Sequence, residues 1–163
     1  MAPNRKHMLY GLIVLVVIAP VVLLAVLSAL AKRPENLGVV NGRLSPCPDS
    51  PNCVSTQATD AQHRGEAIPF DGSPEGAIRR LKAAIDTVPR MRVVAEAGDY
   101  LHAEVTTLLF RFVDDVEFYV DREAKVIHYR SASRAGRSDL GVNRARMEQI
   151  REAFGQQKSS GQN

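Results

Sequence analysis

From Met8 to Ala31 the chain runs 24 residues without a charge, and Leu, Val, Ile and Ala dominate the run. At 1.5 Å per residue such a helix spans about 36 Å, more than the ~30 Å hydrocarbon core of a bilayer. A helix apolar on every side has no place in a small globule. The pattern therefore predicts one transmembrane helix. Pro20 falls in its middle, where a missing N–H kinks a helix in a way membrane spans tolerate. Arg5 and Lys6 flank one end and Lys32 and Arg33 the other, placed to snorkel towards headgroups. Ala29-Leu30-Ala31 resembles a signal-peptidase site, but a signal peptide has an apolar region of about 7–15 residues. An uncleaved anchor is the reading taken, with a cleaved signal as its alternative.

Beyond the anchor, Pro34 to Thr59 is rich in Pro, Asn, Ser and Gly and carries little apolar periodicity, so it reads as an irregular lead-in. Regular structure is predicted from about His63, with a short strand through Ile68 and Phe70. Ser73 and Pro74 form an N-cap and first-turn proline. Ile78, Leu81, Ile85 and Val88 follow at helical spacing, and Pro89 stops the helix. Strands are predicted over Met91–Glu96 and Tyr100–Thr107. A further pair, Leu108–Val113 and Val116–Val120, reads as one long strand bent at Asp114-Asp115. Lys125–Ser133 closes a hairpin across Asp121 to Ala124.

Phe110, Phe112, Val116, Phe118 and Val120 share one parity and make an apolar face. Arg111, Asp115, Glu117 and Tyr119 share the other, which reads as wet or ligand-facing. A last helix is predicted over Asn143–Phe154, capped by Asn143, stapled by Val142 against Met147, and buried along Met147, Ile150 and Phe154.

The order β-α-β-β-β-β-α predicts an α+β domain, an antiparallel sheet of four or five strands with two helices on one face. The organisation is then a tail (1–7), a transmembrane helix (8–31), the lead-in with its cysteine loop (32–59), the α+β domain (60–154) and a disordered polar tail (155–163).

Charge changes the picture once the anchor is set apart. The sequence has 21 Lys/Arg against 18 Asp/Glu and a pI near 9.1. Four of the basic residues flank the membrane run and every acid lies beyond it, which leaves 17 against 18, a formal charge of −1. The basic pI thus belongs to the anchor, and nucleic acid is not expected as a partner. Asp114, Asp115, Glu117, Asp121 and Glu123 form an acidic stretch; Arg130, Arg134, Arg137, Arg144, Arg146 and Arg151 form a basic one. These read as solvated faces on opposite sides of the domain.

Both cysteines, Cys47 and Cys53, sit in one proline-stiffened loop. A structural disulfide is the first reading, giving roughly 2–3 kcal/mol on the chain-entropy model. A redox pair lacks C-x-x-C spacing, and structural zinc would need four ligands where only His63 is near. Two Lys/Arg before the span and three after it (Lys32, Arg33, Arg43) do not orient the anchor. The cysteines favour a domain on the periplasmic or extracytoplasmic side.

Arg43-Leu44-Ser45-Pro46-Cys47-Pro48 with Ser50-Pro51-Asn52-Cys53-Val54-Ser55 resembles the opening signature of the domain-of-unknown-function family 1499. Arg130-Ser131-Ala132-Ser133-Arg134, Gly136 and Ser138 through Arg146 resemble its second signature. The likeness covers Arg43 to about Phe154. It implies an uncharacterised family, mostly bacterial with chloroplast relatives and often an N-terminal membrane segment, and it supplies no mechanism.

Ser131, Ser133, Arg134, Ser138, Asp139, Asn143, Arg144 and Arg146 crowd hydroxyls and guanidiniums around the entry to the last helix. A helix N-terminus with two arginines suits phosphate or carboxylate. The alternative is that Ser138, Asp139 and Asn143 cap turns while the arginines pair with acids. His102 and Glu104 share strand parity and, with Thr106, Thr107 and His128, are the candidate acid–base groups. No H-E-x-x-H, G-x-S-x-G, P-loop or G-x-G-x-x-G is present, so neither metal nor cofactor is expected. The functional expectation is a membrane-anchored envelope domain that binds a small anionic or protein partner without catalysis. An enzyme on an anionic envelope or lipid substrate comes second, and a structural subunit of a membrane complex third.

Overall fold

The computed structural model describes residues 5–108 and 111–159. At its N-terminus α1 (Arg5–Ile13) passes through a π-helical turn (Val14–Ile18) into α2 (Ala19–Leu30). Pro20 explains the π turn: it has no N–H to give the Val16 carbonyl, and its ring would collide there. The turn widens, and the Ala19 N–H reaches back to the carbonyl of Val14. Met8–Leu30, 23 residues, is long and apolar enough to cross a bilayer, and none of its apolar window is buried among the described residues.

The chain then makes a two-stranded ribbon, β1 (Val39–Val40) with β2 (Arg43–Leu44). A six-stranded sheet follows. Its strands are β3 (Cys53–Ser55), β4 (Ile68–Pro69), β5 (Met91–Ala97), β6 (Tyr100–Thr106), β7 (Val113–Asp121) and β8 (Val126–Ser133). Their order is β3-β8-β7-β6-β5, with β4 also on the outer edge of β8, and all these pairings are antiparallel. The helices are α3 (Pro74–Asp86) and α4 (Val142–Ser159). The α+β expectation holds, with more strands than foreseen because β3 comes from the lead-in, where none was expected.

One sheet face is the core. Leu101, Ala103, Val116, Phe118, Val120 and Ile127 are buried beneath Leu81 and Ile85 of α3 and Met147, Ile150 and Phe154 of α4. Each such fully buried side chain contributes roughly 1.5–3 kcal/mol. The start of α3 is the one predicted: Ser73 Oγ accepts the N–H of Gly76 at 3.1 Å, and Pro74 sits in the first turn.

Other expectations are corrected. The strand expected over Leu108–Val113 is not formed at its described residues before Val113, where β7 starts: Thr107 and Phe112 close a connection with N–H···O bonds of 2.8 and 2.9 Å, and Arg111 has a φ of 54°. Leu109 and Phe110 lie outside the described residues. Asp114 and Asp115 do not bend the chain; they lie inside β7, paired with Ser133 and Ala132 of β8. Asn143 does not cap α4. Asp139 does, accepting the N–H groups of Gly141 (3.0 Å) and Asn143 (2.8 Å), while Val142 is half exposed and forms no staple. The helix continues to Ser159, so the first residues of the tail expected to be disordered are helical; 160–163 lie outside the described residues. Gln156, Gln157 and Lys158 are good helix formers, and the Arg80 guanidinium 4.4 Å over the Phe154 ring ties that end to α3.

The second face of the sheet is not wet. The lead-in folds across it, so that Asp115 is 1% exposed and Glu117 0%. Gly38 donates its N–H to Glu117 Oε1 at 2.7 Å, Leu44 is buried, and the Cys47–Cys53 disulfide is formed. The disulfide ties this cover to β3. The acidic and basic stretches are likewise not opposite faces. Asp114, Asp115 and Glu117 of the one pair with Arg146, Arg134 and Arg130 of the other.

Candidate anion-binding site

Pairing β7 with β8 sets Glu117 opposite Arg130 and Asp115 opposite Ala132, and pairing β6 with β7 sets Glu104 opposite Asp115. Alternation then places His102, Glu104, Asp115, Glu117 and Arg130 on the covered face together. Arg134, just past β8, turns back over them. Its Nε donates to Asp115 Oδ2 at 2.8 Å, and its Nη2 donates to Asp115 Oδ1 at 2.7 Å and to Glu104 Oε1 at 2.5 Å. Arg33, three residues after the apolar helix, reaches the same Glu104 oxygen at 2.5 Å, and exposed Arg92 touches the other at 3.5 Å. His102 Nε2 lies 2.8 Å from Asp115 Oδ1. Glu117 takes the Gly38 N–H, the Tyr100 hydroxyl at 3.0 Å and Arg130 Nη1 at 3.2 Å.

Three carboxylates thus meet four guanidiniums, those of Arg33, Arg92, Arg130 and Arg134. Burial alone would raise the pKa of Asp115 and Glu104. The hydrogen bonds of Arg134 with His102 for the one, and of Arg33 with Arg134 for the other, outweigh it and hold both below the usual carboxylate range. Burial, and then the charge of Glu117, push the Tyr100 phenol up.

One donor is left over. Arg130 is 5% exposed, and its Nε is buried without a hydrogen-bond partner among the described residues. Most such groups are satisfied, and leaving one unmade costs roughly 1–3 kcal/mol or more when charged. Arg130 lines a cavity of about 410 Å³ with Asp115, Ala132, Ser133 and Arg134 on its floor. Pro34, Asn36, Pro46, Cys47 and Pro48 of the lead-in form its rim.

The residues named from sequence are divided by the fold. Ser133 and Arg134 reach this cavity. Asn143 and Arg146 lie on the core side of the sheet, where Arg146 Nη2 pairs with Asp114 Oδ2 at 2.6 Å and Nη1 donates to Asn143 Oδ1 at 2.7 Å. Asn143 also accepts from Ser131 Oγ at 2.5 Å and donates to Asn52 O and Ser133 Oγ, both at 3.1 Å. Those groups are saturated by each other and pin the lead-in, β8 and α4 together. Ser138 and Asp139 serve the turn before α4. Arg144 points elsewhere, donating to the carbonyls of Arg64 (2.7 Å) and Gln62 (2.8 Å).

His128 stands apart from the network, bonded to Thr56 Oγ1 at 3.0 Å and stacked on Tyr119, and burial lowers its pKa. Tyr100, Asp115, Glu117 and Arg130 were not singled out from sequence as site residues. The hairpin expected at 121–124 carried only part of the signal, since that turn would set Glu117 across from His128, whereas the observed pairing of Asp121 with Val126 sets it across from Arg130.

His102, Glu104 and Asp115 each offer a ligand atom within 4.8 Å of the others. Their oxygens already hold Arg134 and Arg33, so a divalent ion would have to displace a charge that neutralises them. The donor set fits an internal ion-pair network better than a metal.

A comparison with family models matches residues 43–154 to one described as a protein of unknown function, DUF1499. Neither the curated proteins nor the solved structures contain a match to the chain.

Proposed function

The chain belongs to the DUF1499 family of proteins of unknown function, and from that premise we propose that it is a membrane-tethered, non-catalytic domain binding a small anionic ligand. The ligand's carboxylate or phosphate would sit in the cavity between lead-in and sheet, against Arg130, Ser133 and Arg134. The observation that carries this is Arg130, a buried guanidinium one hydrogen bond short at a cavity wall. A fork of donors held by a fixed neighbour suits planar oxyanions. Met8–Leu30 supports the tether, and the disulfide supports a domain held outside the cytoplasm.

Binding is favoured over catalysis because Glu104 and Asp115 are occupied by guanidiniums and held acidic, whereas a general base works best with a pKa near the operating pH. The second reading, an enzyme on an anionic substrate, rests on His102 beside Asp115, 2.8 Å apart behind the cavity floor.

The test is calorimetric titration of the full chain in neutral detergent with inorganic phosphate and with succinate. Arg130→Lys keeps a counter-charge for Glu117 but loses the fork. It is expected to bind about tenfold more weakly or worse, the worth of one charge-assisted hydrogen bond. Equal affinity in the two folded proteins, or no uptake of either anion by the wild type, would refute the proposal.

A further inference from the structure

A second cationic feature lies at the end of the sheet nearest the apolar helix. Arg90, in the turn before β5, Arg92 on β5 and Arg111 in the β6–β7 connection surround a concavity of about 280 Å³ with Thr106, Thr107 and Leu108. Only Arg92 has a carboxylate partner among the described residues, and that contact is long, 3.5 Å to Glu104. Arg90 donates to a neutral acceptor, the Thr106 carbonyl at 3.0 Å, and Arg111 is exposed. Leu108 stands among them 79% exposed. Arginines around a bare leucine make an amphipathic surface, and only a partner with anionic heads and an apolar layer beneath satisfies both parts.

The chain itself places that surface. Glu104 holds Arg92 through one carboxylate oxygen and Arg33 through the other. Arg33 follows the last helical residue, Leu30, by three positions, which allows a separation of roughly 10 Å at most. Arg92 is therefore linked to the end of the apolar helix by three residues of backbone and the single carboxylate of Glu104, and Lys32 and Arg33 continue the charge of the rim.

We propose that the Arg90–Arg92–Arg111 end of the sheet, with Leu108 at its centre, seats on the anionic headgroup layer of the membrane that carries the anchor. The proposal rests on the tethered reading given above. Seating fixes the domain's tilt and turns its covered face, with the anion cavity, alongside the bilayer rather than away from it. Each arginine near an anionic surface favours the seated state about fivefold, so the three together do so by about a hundredfold.

The experiment uses the full chain carrying Leu108→Cys. Both native cysteines are in the disulfide, so the new thiol is the only one open to labelling without reductant. The chain, labelled with a polarity-sensitive fluorophore, is reconstituted into vesicles of phosphatidylcholine alone or mixed with phosphatidylglycerol. The expected result is a blue shift in the anionic vesicles only. Salt of about 1 M, with a Debye length of ~3 Å, reverses it. Changing Arg90, Arg92 and Arg111 together to Glu abolishes it, while the matching triple Lys variant keeps it. The Lys variant answers the objection that the Glu variant has lost its fold. Equal emission in the two vesicle types overturns the seating while the anchor stands. A chain that fails to float with either vesicle after an alkaline wash overturns the anchor and the seating with it.

Discussion

Replacing Arg134 with Met tests whether the covered face is held by charge or by packing. Met keeps most of the aliphatic stem and removes the guanidinium. Glu104 would retain Arg33 and Arg92 after the change, but Asp115, 1% exposed, would retain only His102 among the described residues. Breaking a buried pair by removing one partner costs about 3–5 kcal/mol, and the remaining histidine argues for the lower end, about 3. For a domain of this size that lowers the melting temperature by roughly 12 °C or more.

The pH dependence separates the causes. Asp115 and Glu104 have folded pKa values below their unfolded ones, so their ionic contribution is complete above about pH 4 and is lost as pH falls through the depressed values. Without Arg134 the main cause of that depression is gone from Asp115. The deficit of the variant is therefore largest near neutrality and shrinks on acidification, by about 1.4 kcal/mol for each pKa unit of depression removed. Urea unfolding in neutral detergent, followed by near-ultraviolet circular dichroism at about pH 7 and about pH 3, measures both ends of this window. A deficit that is the same at both pH values would refute the reasoning, because it would assign the loss to packing of the stem.

Three further outcomes are expected. Gly65→Ala should lower stability by about 1–3 kcal/mol in thermal melts, since the new Cβ would lie 2.3 Å from the Tyr129 hydroxyl oxygen and 2.9 Å from Cζ; adding Tyr129→Phe should recover only part of it. Asp139→Ala should cost about 1 kcal/mol and fray the start of α4, seen as faster amide exchange at Gly141 and Asn143, the two N–H groups Asp139 now accepts. In intact cells a membrane-impermeant maleimide should label Cys47 and Cys53 only after reduction, and reduction should cost the purified chain roughly 2 kcal/mol; labelling that needs permeabilised cells but no reductant would place the domain in the reducing cytoplasm.

What could be read from the sequence follows from the kind of signal each part emits. The apolar helix and the Ser73-Pro74 start of α3 are local signals and needed no partner to be seen. The core parity of Val116, Phe118 and Val120 was equally legible, because alternation records which side is dry. The other parity misled: Asp115, Glu117 and Tyr119 look solvated until a segment without periodicity, 32–48, is known to lie over them. Asp114-Asp115 looked like a bend for the same reason, since its compensating arginines, Arg146 and Arg134, come much later in the chain. The second signature motif was identified as rich in chemistry, but its residues were assumed to face one way. A strand and a helix carry them to both sides of the sheet, so Arg134 and Arg146 never meet.

The contact between Arg33 and Glu104 bears on where the folded unit begins. Family likeness starts at residue 43, and a soluble fragment trimmed to that boundary would be a natural choice for biochemistry. Such a fragment would leave Glu104 without the guanidinium of Arg33 and Glu117 without the Gly38 N–H, and it would remove Pro34 and Asn36 from the cavity rim. Physically the domain starts at Arg33, where the apolar helix has only just ended. A fragment meant to report on the native pocket must carry every residue from there onward.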